Sequence, residues 1–322
     1  MIVILFTGGT ISMRHDPTAQ GAVPALSGRE IVAATPGVER VAAIEVEDWG
    51  AFPGPHMTVE RMWALRNRIG EHLARRDVEG VVVTHGTDSM EETAYLVTRS
   101  LAIAKPVVFT GAMRTASDLG WDGPANLLDA VRVAATPESA RYGALLTMSG
   151  RVFAGIDVTK AHTHLLDAFE SPGMGPVAVI DDGTVIFRRA LPAVLAPLAP
   201  VAPAMPVDLV YAAAGTDARL LDASRETARG VVLAAMGRGN VPPAMMPGVE
   251  RWVSDGKPVV IVSRAQRGRV GPTYGYPGAA RRLIEAGAVL APGRRPTQAR
   301  IDLMLALGLG MSPPDVRRLF EG

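Results

Sequence analysis

Two short runs concentrate the groups that could do chemistry: Thr7-Gly8-Gly9-Thr10-Ile11 and His85-Gly86-Thr87-Asp88. Each sets a hydroxyl on flexible backbone. Glycine lets a chain approach a ligand closely, and a threonine there is a candidate nucleophile if a base lies within reach. Each residue also has a plainer reading. Thr10 could cap a local turn, Asp88 could cap the next helix, and His85 could be a hydrogen-bonded structural imidazole rather than a base. Lys160, in Asp157-Val158-Thr159-Lys160, is the candidate base. The chain has 33 basic residues, yet only Lys105, Lys160 and Lys257 are lysine, and Lys105 and Lys257 each precede a proline. A desolvated lysine can lose its proton, whereas arginine effectively cannot. A neutral lysine could then accept the proton of a threonine hydroxyl. The competing reading is an ordinary surface lysine.

Other chemistries recede. The absence of cysteine excludes disulfides, thiolate metal sites and cysteine nucleophiles. His162 and His164 flank Thr163, and alternation would place both on one strand face. No carboxylate stands at ligand spacing beside them, so no metal is expected. The Gly8-Gly9-Thr10 turn is neither a G-x-G-x-x-G fingerprint nor a Walker loop. A nucleotide at that turn would leave His85 to Asp88 and Lys160 unused.

Both threonine runs follow apolar stretches that read as buried strands, Ile2–Phe6 and Gly80–Thr84. In open α/β sheets, ligands bind beyond the carboxyl ends of the strands, so the two ends suggest one site. Helical patterns at 58–73, 89–104 and 122–135 alternate with strands at 106–110 and Ala144–Met148. This rhythm predicts a parallel sheet with helices on both faces. The polar segment 14–27 is long for a connection and reads as a mobile lid or a plain surface loop. A Pro/Ala-rich stretch, 191–206, reads as an interdomain linker. The rhythm then restarts: strand 207–212, helix 218–228, strand Gly230–Ala235, helix 243–255, strand 258–262. A helix at 278–285, a strand at 288–291 and helices at 297–307 and after Ser312 follow. The expected fold is α/β in two domains: a larger N-terminal parallel-sheet, flavodoxin-like domain (1–190) and a smaller C-terminal α/β domain (207–322).

With 322 residues, 48% hydrophobic and a net charge of +1, the chain can bury a full core and is not of the disordered class. The near-neutral balance, with scattered arginine pairs, argues against a nucleic-acid partner. No apolar run reaches membrane length, since Pro192, Pro197, Pro200, Pro203 and Pro206 break the most apolar region. The N-terminal apolar run lacks the basic lead-in of a signal peptide. A cytoplasmic protein is expected.

Taken together, TGGTIS at 7–12, THGTDSMEETAY at 84–95, KPVVFTGAMR at 105–114, DGPANLLDAV at 122–131 and DVTK at 157–160 resemble the bacterial-type L-asparaginase/glutaminase family. GRGN at 237–240 and APGRRPTQARIDLMLAL at 291–307 add weaker matches. The resemblance implies hydrolysis of a side-chain amide to carboxylate and ammonia without cofactor or metal. It implies a homodimer or homotetramer whose active sites are completed by the neighbouring copy. By motif, Thr10 is the nucleophile, and Thr87, Asp88 and Lys160 form a second threonine's triad. Asp88 would also take the substrate's α-amino group. Backbone at Thr87 and Ala112 would lie near the scissile amide, and Asn240 would reach the adjacent copy's site. Two positions depart from the family pattern. Ala22 stands where a loop tyrosine is usual, and Gly54, before Pro55, stands where a serine usually holds the substrate's α-carboxylate. Tyr274 and Tyr276 are candidates to supply a phenol from elsewhere. The leading expectation is L-asparagine hydrolysis. The alternatives are an amidase for glutamine, D-asparagine or another small amide, and a catalytically impaired amino-acid-binding homologue.

Overall fold

The computed structural model describes residues 1–191 and 196–321. The chain divides into two compact units, Met1–Pro197 and Leu198–Gly322. Of the expected linker, residues 192–195 lie outside the described residues. The stretch after Pro197 belongs to the second unit, where the Ala204 N–H donates to the Met304 carbonyl.

The first unit is built on β1 (Ile2–Phe6), where every residue is buried. Next come the hairpin β2 (Met13–Asp16) and β3 (Gly21–Pro24), helices α1 (Gly28–Ala33) and α2 (Val38–Val41), and β4 (Ile44–Asp48). Helix α3 (Val59–Ala74) leads to β5 (Gly80–Thr84), α4 (Met90–Ser100) to β6 (Val107–Thr110), and α5 (Gly123–Ala134) to β7 (Ala144–Met148). Strands β4, β1, β5, β6 and β7 pair in parallel, in that spatial order. The sheet continues past β7 with three antiparallel strands: β8 (Arg151–Ala154), β11 (Ala178–Asp181) and β12 (Thr184–Phe187). The expected parallel sheet is therefore mixed at one side. Between β8 and β11 a separate two-residue pair forms, β9 (Thr159–Lys160) with β10 (Phe169–Glu170).

Successive residues of a strand point to opposite faces, and β1 feeds two cores accordingly. Ile2, Ile4 and Phe6 join Ile31 of α1 and Leu127 and Val131 of α5. Val3 and Leu5 join Leu65 and Ile69 of α3 and Ala94 and Val97 of α4. A strand covered on both faces has no polar side to alternate with, which is why it reads as a continuous apolar run.

Segment 14–27, read as a lid or loop, is largely the β2–β3 hairpin, in register His15 with Ala22. His162 and His164 lie in the exposed loop after β9, not on a strand. The His162 Nδ1 accepts the backbone N–H groups of His164 and Leu165, so it serves the turn.

The second unit is a four-stranded parallel sheet of β13 (Val207–Tyr211), β14 (Gly230–Ala235), β15 (Val259–Ser263) and β16 (Val289–Leu290), paired in sequence order. Helices α6 (Arg219–Thr227), α7 (Met246–Ser254), α8 (Ala280–Glu285), α9 (Pro296–Gly308) and α10 (Pro313–Glu321) complete it. It has its own core, with Leu233, Ile261, Trp252 and Leu283 fully buried. Among the described residues no helix is long and apolar enough to cross a membrane.

Candidate active site

The carboxyl ends of three neighbouring parallel strands, β1, β5 and β6, converge at one place in the first unit. Strand β1 runs into Thr7, whose N–H and hydroxyl both donate to the Thr84 carbonyl at the end of β5. Gly8 and Gly9 follow with φ of 101° and 86°. A Cβ on Gly9 would lie 2.6 Å from the backbone nitrogen of Gly86, so the two strand ends pass with only hydrogen between them. Thr10 begins a 3-10 turn, Thr10–Ser12, and is half-buried. The Ser12 hydroxyl, donating to the Gly9 carbonyl, closes that turn.

At the end of β5, His85 is fully buried. Its Nδ1 faces the Gly86 carbonyl at 2.8 Å and its Nε2 faces the Thr93 hydroxyl at 2.9 Å. A carbonyl only accepts, so the ring proton sits on Nδ1 and Nε2 accepts from Thr93. Burial holds the imidazole well below its usual pKa, at about 4. His85 is thus a neutral structural group, the plainer of its two readings.

Asp88 does not cap α4. The cap position is Ser89, whose hydroxyl donates instead to the Gly54 carbonyl at 2.7 Å. The Asp88 carboxylate is 57% exposed and takes the Lys160 ammonium at 2.6 Å. The same Nζ donates to the Thr87 Oγ1 at 2.9 Å. Lys160, with a side chain 15% exposed, is therefore a nearly buried cation shared between a hydroxyl and a carboxylate. Its donation to Oγ1 leaves the proton of the Thr87 hydroxyl free to point elsewhere. The lysine is presented by β9, outside the main sheet, and its backbone N–H donates to the Glu91 carboxylate in the first turn of α4.

Gly54 opens the turn Gly54–His56 after β4 and is buried against this site. A Cβ there would lie 3.1 Å from the Asp88 Cβ and 3.2 Å from the Asp88 nitrogen. Pro55 and His56 are exposed. Gly111 and buried Ala112 end β6, and a Cβ on Gly111 would meet the His85 carbonyl oxygen at 2.6 Å. Thr10, Thr87, Asp88, Lys160, Gly54, Pro55 and Ala112 thus all belong to one unit, Lys160 on β9 and the others on the connections that follow β1, β4, β5 and β6.

Asn240, Tyr274 and Tyr276 belong to the second unit. Asn240 Oδ1 accepts from the Ala280 N–H, and Asn240 lines a cavity with Met236, Val241, Pro242 and Tyr276. The two tyrosine rings stack at 5.4 Å and are about half exposed, at 45% and 49%. The sequence does not mark Ser89 and Glu91 as site residues. Their only signal was the run Ser89-Met90-Glu91-Glu92 following Asp88, in which the acids read as first-turn helix charges.

Comparison with known proteins agrees along the whole chain. The family model described as Asparaginase, N-terminal, matches residues 1–193, and the Glutaminase/Asparaginase C-terminal domain matches 206–320. A probable L-asparaginase of Deinococcus radiodurans is 38% identical, the match spanning 99% of this chain and 96% of that protein. L-asparaginase 2 of Escherichia coli is 30% identical over 99% of this chain and 92% of its own length. The crystal structure of a probable cytoplasmic L-asparaginase from Campylobacter jejuni superposes with a TM-score of 0.90 at 29% identity, covering 99% and 98% of the two chains. Two adjoining family models, full-length relatives and a matching solved fold lead to one conclusion: the chain belongs to the asparaginase/glutaminase family.

Proposed function

We propose that this protein is an amidohydrolase that converts L-asparagine to aspartate and ammonia through a covalent ester on Thr10. The observation that carries the reading is the Lys160 ammonium held at once by Thr87 and Asp88, on the loop whose Gly86 packs against Gly9, next to Thr10. The Thr10 oxygen attacks the side-chain amide carbon, and the hydroxyl proton passes to the departing nitrogen. The C–N bond breaks, ammonia leaves, and an acyl ester remains. Water then attacks the ester carbon, releasing aspartate and restoring the Thr10 hydroxyl. Lys160, when neutral, is the group that can take and return the proton of Thr87. Backbone at Thr87 and Ala112 would face the carbonyl oxygen as it gains charge, where fixed dipoles act most strongly. The half-exposed Asp88 carboxylate suits an α-ammonium group. Gly54 and Pro55 would face the substrate with backbone and ring only. No cofactor or metal forms part of the proposal.

The assembly belongs to the same proposal: a homodimer or homotetramer in which Asn240, Tyr274 and Tyr276 of a neighbouring copy complete each site. Cytoplasmic location is likewise proposed, by likeness to the Campylobacter protein. A second reading, hydrolysis of D-asparagine, glutamine or another small amide, is favoured by two particulars. Gly54 offers no side chain toward the site, and Ala22, exposed on β3, offers only a methyl group.

Ammonia release from L-asparagine, D-asparagine and L-glutamine by wild type and Thr10→Ala tests these readings. Release from L-asparagine that Thr10→Ala abolishes is expected. Release confined to another amide would select the second reading. Binding of an amide without release would mark a non-turning homologue.

A further inference from the structure

The lysine of the candidate site stands on a two-residue strand outside the main sheet of its unit. Among the described strands, β9 pairs with the two residues of β10. Thr87 and Asp88, in contrast, continue directly from the central strand β5, buried throughout. A proton carrier must keep its distance to its partner within a fraction of an ångström, so something must tie β9 to β5. A bond that does this runs from the Lys160 backbone N–H to the Glu91 carboxylate. Glu91 lies three residues after Asp88, in the first turn of α4. Helix and reactive pair share one rigid stretch of chain, so Glu91 holds Lys160 by its backbone while Asp88 and Thr87 hold it by its side chain. An ionised acceptor makes this bond stronger than a neutral one. A further brace lies on the far side of β9: Asp157 accepts from Ser171 at 2.6 Å and from Arg189 at 2.6 Å, fastening the chain on either side of the β9–β10 pair.

We infer that Glu91 is a positioning residue that sets the Lys160 ammonium against Thr87. It is not only a charge that suits the start of a helix. The inference rests on Lys160 acting as proposed above.

Glu91→Gln and Glu91→Met test it, since the two side chains have similar length but only Gln keeps an oxygen acceptor. Misplacement by about 1 Å can cost roughly a hundredfold in rate. The expected result is a fall in kcat of about 10- to 100-fold for Glu91→Met with KM within about twofold, and recovery of most of that loss in Glu91→Gln. Equal effects of Glu91→Gln and Glu91→Met would overturn the inference. So would a wild-type kcat in Glu91→Met. Should Glu91→Met not fold, amide exchange in the wild type decides: a Lys160 amide protected like those of β5 is expected, and free exchange refutes the tie. Lys160→Ala separates the two levels. If it retains activity, the underlying reading fails. If it is inactive while Glu91→Met is not, only the positioning role fails.

Discussion

Two residues at the end of β5 show how tightly the site is built and what that costs. Gly86 lies against the backbone of Gly54, and a Cβ on it would stand 2.5 Å from both the Cα and the nitrogen of Gly54. Neither atom can swing away as a side-chain end could. Gly86→Ala is therefore expected to lose about 1–3 kcal/mol, the range for overpacking, and most of its activity, because Asp88 is displaced with the loop. Gly275→Ala, whose Cβ would meet nothing within 4 Å, is the control. It is expected to stay within about 0.5 kcal/mol of wild type. Urea unfolding of both variants checks this. His85 gives a pH prediction. Its folded pKa, about 4, lies below the ordinary value of 6.5. Between those values the unfolded chain binds a proton that the folded one does not. Stability from the neutral His85 is therefore complete above pH 6.5 and is lost progressively as pH falls toward 4. The integrated loss is about 3 kcal/mol at 1.36 kcal/mol per pKa unit. Unfolding free energies at pH 7 and pH 4.5 should show a smaller acid loss in His85→Gln than in wild type. An equal loss would mean that His85 is not held neutral.

Among the elements, the β2–β3 hairpin is the one whose attachment can be tested most directly. It leaves the Thr10–Ser12 turn and is half-exposed along both strands. Beyond its own pairing it is fixed to the turn after β6. The Ala116 N–H donates to the Met13 carbonyl at 2.9 Å, and the His15 N–H donates to the Ser117 hydroxyl at 3.1 Å. Asp118 anchors that turn by accepting the N–H and hydroxyl of Thr115. Ser117→Ala removes one of these ties, so faster tryptic cleavage at Arg14 and a raised KM are expected, with little change in global stability. Unchanged cleavage would mean that the pairing within the hairpin suffices. The same hairpin shows why parts of the fold were not legible in the sequence. Strands β1, β5, β6 and β7 announce themselves because two apolar cores leave them no polar side. None of the hairpin's apolar residues, Met13, Ala22, Val23 and Pro24, is buried, so no core face marks the segment as strand and its polar, Gly/Pro-containing sequence reads as loop. Strands β8, β11 and β12 extend the sheet by antiparallel pairing. β8 follows β7 and β12 follows β11 across two-residue turns at positive φ, Ser149-Gly150 and Asp182-Gly183. Only β8 and β11 pair across a longer gap, and β12 alternates between exposed and half-buried, a weak pattern in four residues. In the site, the reactive types and the rarity of lysine were readable, since they are matters of composition. The Glu91 tie was not, because it is a side-chain bond to backbone on a strand 69 residues away.

Across the whole molecule, charge is divided unevenly behind a net value of +1. Met1–Pro197 carries 17 basic and 22 acidic residues, and Leu198–Gly322 carries 16 basic and 10 acidic. The acidic unit holds the threonines and Lys160, whereas the basic unit holds Asn240 and the tyrosine pair. If copies assemble so that the second unit of one meets the first unit of another, opposite net charges meet. Such attraction speeds encounter and fixes orientation more than it adds affinity. It also weakens as salt shortens the Debye length from about 10 Å at 0.1 M to about 3 Å at 1 M. Sedimentation velocity at both salt concentrations is therefore expected to show an oligomer that dissociates more readily at 1 M. Activity per chain should fall in parallel if, as proposed, Asn240, Tyr274 and Tyr276 of a neighbouring copy complete each site. An oligomer indifferent to salt would mean that apolar surface drives assembly and that the charge division serves something else. A monomer with full activity would mean that Thr10, Thr87, Asp88 and Lys160 need nothing from a second copy.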